Sequence, residues 1–235
     1  MIERQIKTSQ NNEWKIISED TDVVAYFNNP ENQIETIIRQ ICDEGMYNPI
    51  FLGKSNMTVL DLGANCGLFS LYAADSCKRV VAVEAAPSTF GILQKLVKDQ
   101  PVIETLNVAV APTNEDLTFY INENSTTNSL LDRQGTPVTV QGNTLVHLLD
   151  SLAIDHVDFI KCDIEGSEMV ALTEETVGAV AERVDFWFVE IHQTNVKETA
   201  WPGNLGSNRD QLAAIFQKCG YQTENVIHDQ LFAWK

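Results

Sequence analysis

The chain is short of positive charge. Its 235 residues carry 16 Lys and Arg against 33 Asp and Glu, a formal net charge of −17. A surface this acidic repels a phosphate backbone, and no run of Lys and Arg offsets it, so no nucleic-acid partner is expected. Cysteines are few and badly spaced for a framework. Cys42, Cys66, Cys77, Cys162 and Cys219 are odd in number and form no CxxC, so they read as reduced thiols and not as a disulfide scaffold or a zinc site. No apolar run approaches the length of a membrane span, and Met1-Ile2-Glu3-Arg4-Gln5 lacks the apolar stretch of a secretory leader. Internal repeats and low-complexity segments are also missing. What remains is the expectation of a soluble cytoplasmic protein with no membrane partner, for which a homodimer is compatible.

The hydrophobic fraction of 44% and charged fraction of 21% are ordinary for a globular chain. The length suits one sizeable core, expected over residues 56–235, with residues 1–55 as an N-terminal helical extension or cap. That extension begins polar and irregular. Its clearest element is a helix from Glu31 to about Asp43, opened by Pro30, with Ile34, Ile37, Ile38 and Ile41 at helical spacing and Gly45 to end it. The segment can cover the substrate side of the domain.

From residue 57 the pattern alternates. Strands are expected at Met57–Leu62, Arg79–Glu84, Val102–Val110, Val157–Ile164 and Val184–Ile191. Helices are expected at Leu68–Ser76, Pro87–Asp99, Thr144–Ala153, after Ser167 and at Asn208–Lys218. Strands alternating with helices imply parallel βαβ units. The middle, 112–143, breaks the rhythm with short strands at Leu117–Ile121 and Pro137–Val140 around the polar stretch 122–129. That stretch is either a specificity loop or a solvated hairpin connection. A final hairpin at Tyr221–Ile227 and Gln230–Trp234 completes an α/β, Rossmann-like, doubly wound, mostly parallel seven-stranded sheet.

The segment Asp61-Leu62-Gly63-Ala64-Asn65-Cys66-Gly67 sits between a strand and a helix, where open parallel sheets bind nucleotides. Gly63 permits a sharp turn, Gly67 permits the helix to start close to the strand, and Asn65 tolerates positive φ. No GxGxxG is present, which speaks against a nicotinamide-dependent oxidoreductase. An acid ends the strand instead. S-adenosylmethionine has no phosphate and carries two cationic groups, so Asp61 makes physical sense beside it. Glu84 closes the second strand roughly twenty residues downstream, where an acid accepts from ribose hydroxyls. Ala64, Asn107 and Asp163 complete the candidate cofactor contacts.

Alternation in the fourth strand puts Lys161, Asp163 and Glu165 on one side while the chain stays extended, and Glu190 and His192 share a side in the fifth. The dense acids argue against a non-catalytic nucleotide-binding module. Group transfer to a hydroxyl needs a nearby base. His192 is the first candidate because its ordinary pKa lies near neutrality. Asp163 and Glu165 compete with it or orient substrate hydroxyls. Lys161, in an apolar strand, calls for an acidic partner. No spacing demands a metal, although Asp163 with Glu190 or His192 is a set able to hold a divalent ion and acidify a diol. Trp201 either walls the substrate pocket or packs. His147, His156 and His228 read as structural or surface residues.

Three blocks carry a family resemblance over about Val59 to His192. They are Val59-Leu60-Asp61-Leu62-Gly63-Ala64-Asn65-Cys66-Gly67-Leu68-Phe69-Ser70, then Val83-Glu84-Ala85-Ala86-Pro87, then Asp158-Phe159-Ile160-Lys161-Cys162-Asp163-Ile164-Glu165-Gly166-Ser167-Glu168. Together they resemble the FkbM family of methyltransferases. The resemblance implies methyl transfer from S-adenosylmethionine, in many members to a hydroxyl of a sugar, glycan or natural product, and in some relatives to an amide nitrogen of a peptide-like acceptor. The first 55 residues and the 122–143 region fall outside the matching blocks.

Overall fold

The computed structural model describes residues 1–122, 130, 135–192, 205–226 and 229–235. Trp201, His228 and most of the polar stretch after Asn122 lie outside the described residues.

The first 55 residues are not simply helical. They open with a hairpin of β1 (Ile2–Lys7) and β2 (Glu13–Ser18), paired from Ile2↔Ser18 to Lys7↔Glu13. The cause is a period-two pattern masked by polar neighbours: Ile2, Ile6 and Ile16 are buried, Arg4 and Trp14 are half-buried on the same face, and Glu3, Gln5, Lys7, Glu13, Lys15 and Ile17 on the other are exposed. Helix α1 (Thr21–Asn28) follows, capped by Asp20, whose carboxylate accepts from the N–H groups of Asp22 and Val23. The expected helix from Glu31 to Asp43 is interrupted. Pro30–Asn32 form a 3-10 turn, Gln33 adopts φ +51, α2 runs over Ile34–Ile38, and Arg39–Asp43 widen into a π-turn. Gly45 ends it at φ +66, as its position suggested. A short α3 (Asn48–Phe51) leads into the sheet.

Strand β3 (Met57–Leu62) is buried at every position, as suits a central strand covered on both faces. Helix α4 (Leu68–Ala74), β4 (Cys77–Val83), α5 (Pro87–Val97) and β5 (Ile103–Leu106) follow. The strand expected over 102–110 breaks at Asn107. The Asn107 side-chain amide donates to the carbonyls of Glu84 (2.8 Å) and Ala85 (3.0 Å), which turns the chain out of the sheet. β6 (Ala109–Val110) then joins a separate three-stranded sheet with β7 (Asp116–Ile121) and β8 (Thr136–Asn143), in the order β6-β8-β7.

Helix α6 (Leu145–Ser151) is capped by Thr144, whose hydroxyl accepts from the His147 N–H. β9 (Val157–Cys162) enters the sheet edge where the site lies. Ser167 precedes the short α7 (Glu168–Ala171), but its hydroxyl makes no capping bond. A second helix that the sequence reading did not separate, α8 (Glu174–Val180), starts at Thr173, which caps the Thr176 N–H. β10 (Val184–Glu190), α9 (Leu205–Lys218), β11 (Gln222–Asn225) and β12 (Gln230–Trp234) complete the chain. No helix among the described residues is long and apolar enough to cross a membrane.

The seven-stranded sheet has the order β11-β12-β10-β9-β3-β4-β5, with β12 antiparallel to both neighbours. The remaining pairings, β10–β9, β9–β3, β3–β4 and β4–β5, are parallel. The order reverses between β3 and β9, which is where an open α/β sheet leaves a crevice for ligands. One face packs on α6, α8 and α9 through Leu148, Val177 and Phe216. The other packs on α4, α5 and the N-terminal elements in one cluster. Tyr47 sits 4.7 Å from Phe69 and 5.1 Å from Phe188 between ring centroids, and Phe51 sits 5.8 Å from Phe159. The first 55 residues are therefore part of this face's core.

Truncating Phe51, which is fully buried, removes an anchor of that packing. Phe51→Ala is expected to lower unfolding free energy by about 3–5 kcal/mol in urea denaturation followed by circular dichroism. A loss below about 1 kcal/mol would mean that the N-terminal elements do not share the sheet's core.

Candidate functional site

The turn after β3 is built on a close approach. Gly63 has φ +79, and a Cβ placed there would stand 1.7 Å from the Asp163 carbonyl oxygen. Only glycine lets this turn press against the end of β9. Gly67, at φ +92, has a different neighbour from the strand expected. A Cβ there would meet Leu93 Cδ1 at 2.6 Å, so this glycine admits α5. Asn65 takes the left-handed conformation, φ +52. Its Oδ1 accepts from the Tyr26 hydroxyl (2.5 Å) and the Cys66 N–H (2.7 Å), and its own N–H donates to Glu84 Oε2 (2.9 Å). Glu84 Oε1 accepts from the Ala86 N–H (2.8 Å). Burial pushes the Glu84 carboxyl up to about 7 despite these two donors.

Two cavities open at this edge of the sheet. The first has apolar walls from Val108, Ala109, Val110, Phe119 and Leu130 and acids from Glu84, Asp163 and Glu165, with no Lys, Arg or His among the described residues that line it. The second lies between the ends of β9 and β10 and the N-terminal elements, and takes in Gln33, Thr36, Gln40 and Tyr47 together with Lys161, Glu190, His192 and Gln230. Gly63, Asn65, Asp163 and Glu165 line both. Ala64 lines the second. Asp61, Gly67 and Asn107 line neither. Asn107 spends its amide on backbone carbonyls, and Asp61 is fully buried beneath the floor.

Asp61 has another task. It lies across from Lys161 in the β3–β9 register, with Lys161 Nζ 3.7 Å from Asp61 Oδ1 and 3.1 Å from Asp163 Oδ2. The Ser70 hydroxyl donates to Asp61 Oδ2 (2.6 Å). The Phe69 ring lies 5.9 Å from the ammonium. Burial opposes the charge on Lys161, yet Asp163 and Asp61 hold its pKa well above the ordinary value. Burial likewise pushes Asp163 up, but Lys161 and His192 outweigh it and hold the carboxyl below its usual range. The expectation that Lys161 pairs with an acid is met here by two.

Extended alternation is not what brings Glu165 to the site. β9 ends at Cys162, and the chain turns through Glu165 at φ +53 and Gly166 at φ +90. Glu168 Oε1 fastens this turn by accepting from the N–H groups of Ile164 (3.0 Å) and Gly166 (3.2 Å). The same oxygen meets His192 Nδ1 at 3.1 Å. His192 Nε2 stands 3.4 Å from Glu165 Oε2 and 3.8 Å from Asp163 Oδ1. Burial would lower the His192 pKa, but Glu168, Asp163 and Glu165 raise it to about 11. An imidazole whose proton is held by three acids is a poorer match for the base role expected of it than a carboxylate raised toward neutrality. Glu190 lines the second cavity, and the Asp163 charge together with burial raises it to about 7.

The profile of the Methyltransferase FkbM domain matches residues 61–223, well over half of the chain. The chain belongs to the FkbM methyltransferase family. A comparison with curated proteins gives no match. Among solved structures, fibrillarin from Aeropyrum pernix, crystallised with natively bound S-adenosyl-L-methionine, is similar at 14% identity and a TM-score of 0.51, over 99% of this chain and 81% of that one. The Methanococcus jannaschii fibrillarin pre-rRNA processing protein is similar at 14% identity and a TM-score of 0.52, over 99% and 82%. At these identities the likeness shows the fold alone. This FkbM family member is an S-adenosylmethionine-dependent methyltransferase of class I architecture.

Several site residues of this methyltransferase carry no signal in the motif blocks. Tyr26 and Tyr47 come from the N-terminal elements, and Phe119 and Leu130 come from the interrupted middle. No spacing rule reaches them, because the contacts join segments far apart in the chain. Glu168 was visible as an acid of the third block, but its role as anchor of the turn needs the three-dimensional arrangement.

The buried ammonium gives a test. Lys161→Met leaves the Asp61 and Asp163 carboxyls facing each other without a cation, and is expected to lower stability by about 3–5 kcal/mol. Adding Asp61→Asn to the same chain should return part of that loss. Additive losses in the double variant would remove the coupling between Lys161 and Asp61.

Proposed function

We propose that this methyltransferase acts on a hydroxyl of a small, oxygen-rich acceptor of the sugar, glycan or natural-product type. The observation that carries this reading is the seam between the cavities. Asp163 and Glu165 line both, while Glu190 and His192 line the second alone. The first cavity is taken as the cofactor's and the second as the acceptor's.

The residues present fit the cofactor. A phosphate-free, cationic nucleoside meets acids and apolar walls in the first cavity, with no basic group among the described residues that line it. The cradle at Gly63 that a Cβ would fill leaves backbone close to whatever lies there. Glu84 is assigned to the ribose hydroxyls, with lone pairs left beyond the two taken by Asn65 and Ala86. Val108, Ala109, Val110 and Phe119 are assigned to the base. The cofactor, when bound, supplies a methyl group on a sulfonium, whose carbon–sulfur bond breaks as the acceptor's carbon–oxygen bond forms, leaving a neutral thioether.

The chain's own part is positioning and proton removal. Glu190 is assigned as the base that takes the acceptor's hydroxyl proton. A carboxylate raised to about 7 is better matched to that task near neutral pH than an ordinary one. Gln33, Thr36 and Gln40 offer neutral hydrogen-bonding groups suited to hydroxyls on the acceptor side. Residues 1–55 thus form one wall of the acceptor cavity in this reading. The acidity of the whole chain supports a small acceptor over a nucleic acid.

Two measurements follow. Glu84 must be ionised to accept from both ribose hydroxyls, so S-adenosylhomocysteine affinity by calorimetry should fall as pH drops below about 7. Glu84→Gln should weaken binding and flatten that profile; an unaltered profile removes the ribose assignment. For the base, Glu190→Gln should lower kcat by about 10² or more while S-adenosylhomocysteine affinity stays put. The wild-type rate should fall with pH below about 7, because the base must be deprotonated. Wild-type turnover in Glu190→Gln on a hydroxylated acceptor panel would sink Glu190 as the base.

A further inference from the structure

We propose that Asp163, Glu165 and His192 form a divalent-cation site on the acceptor side of the methyl-transfer centre, with Glu168 as the residue that orients the histidine. The three residues offer ligand atoms that all lie within 4.8 Å of one another. His192 Nε2 faces Glu165 Oε2 at 3.4 Å and Asp163 Oδ1 at 3.8 Å. Donors bound at about 2.1 Å to one ion stand about 3–4 Å apart, so these atoms need little movement to share an ion.

Two further observations point to a cation. Asp163 Oδ1, the oxygen turned toward Nε2, is sealed from solvent and has no hydrogen-bond donor among the described residues. A shielded carboxylate oxygen without a donor is costly, and a metal satisfies it. The second is the back of the ring. His192 Nδ1 is held at 3.1 Å by Glu168, whose side chain is fully buried and whose oxygen is itself fixed by two backbone N–H groups. A ligating histidine commonly donates its other nitrogen to a carboxylate, which sets the tautomer and aims the free lone pair. Ligation requires the imidazole to give up the Nε2 proton that the surrounding acids otherwise hold on it, and the freed lone pair then faces the two acids.

One imidazole and two carboxylates make a mixed set that suits Mn2+ or Mg2+ with coordination positions left over. The turn at Glu165 and Gly166 is what folds the second carboxylate back beside the first. Because Asp163 and Glu165 line both cavities and His192 lines the second, an ion here lies where an acceptor oxygen can bind it. Coordination positions the hydroxyl and favours loss of its proton to Glu190. That acceptor role rests on the reading given under the proposed function; the cation site itself does not.

The test is Mn2+ titration of the full chain by electron paramagnetic resonance, without cofactor or acceptor. One Mn2+ per chain is expected to be lost from the free-ion signal. His192→Ala and Glu165→Gln should each weaken binding more than tenfold, and Glu168→Gln by about 10- to 100-fold. His156→Ala is the control, because His156, Asp158 and Asp185 form the other candidate group, at the surface. S-adenosylhomocysteine affinity in His192→Ala, within twofold of wild type, will report that the variant is folded. No Mn2+ binding by the wild type, or binding unchanged in both His192→Ala and Glu165→Gln, overturns the site. Weakening in His156→Ala alone assigns the ion to the surface group and overturns it equally. Bound Mn2+ with no methyl transfer to any hydroxylated acceptor leaves the site standing and counts against the proposed acceptor instead.

Discussion

A single buried ammonium makes the acidic end of this sheet possible. Lys161 stands between Asp61 and Asp163 on the α4 face of the central strands, at 3.7 and 3.1 Å. Two carboxyls this deep would repel each other and resist ionisation without it. With it, Asp163 is held ionised, and its charge then works on its neighbours. It is the largest influence raising Glu190, and it adds to burial in raising Glu165. One cation thus splits a group of similar acids into an anion and weaker acids with different uses, the arrangement that separates acid and base roles in active sites.

The geometry of that group depends in turn on the contact between two turns. The β3 turn presses its Gly63 against the Asp163 carbonyl, so the loop that shapes the first cavity and the loop that carries the acids are one packed unit. Glu168 fastens the second loop from below and reaches His192 beyond β10. Displacing Gly63 by a methyl group would therefore move Asp163, and with it the partner of Lys161 and His192. The pieces are few, and each touches the next, which is how a site keeps its geometry on the ends of strands.

Much of this was legible in the residues, and the reason is local. Strands such as β3 and β10 are apolar runs with sharp chain-turning neighbours, so their existence and order follow from pattern. The acids at the ends of β9 and β10 were placed together by topology. What the sequence hid was non-local. The break between β5 and β6 comes from Asn107 binding carbonyls some twenty residues earlier. The β1–β2 hairpin rests on three isoleucines scattered among charged residues. The reading of His192 as a base followed from its ordinary pKa and could not foresee the acids that hold a proton on the ring, Glu168 foremost, then Asp163, then Glu165, the last brought there through a left-handed turn. Glu168, the nearest of the three acids, lies in another element altogether.

This division between local and non-local also divides the chemistry. Everything assigned to the cofactor and to proton removal lies within residues 61–223, the span that the family profile matches. The second cavity does not. Gln33, Thr36, Gln40 and Tyr47 come from the segment before residue 61, where the helix is interrupted by a left-handed residue and a π-turn. A π-turn displaces the side chains that follow it relative to an ordinary helix, and such insertions gather at functional positions. In the proposed reading, changes in this wall would alter acceptor choice and leave the Lys161–Asp163 pairing untouched. The wall is nonetheless no loose addition: Tyr47 and Phe51 bind it into the same aromatic packing as Phe69 and Phe188. On the proposed assignment of the second cavity, acceptor recognition is tied to the stability of the sheet, and the wall residues are held as rigidly as the acids opposite them.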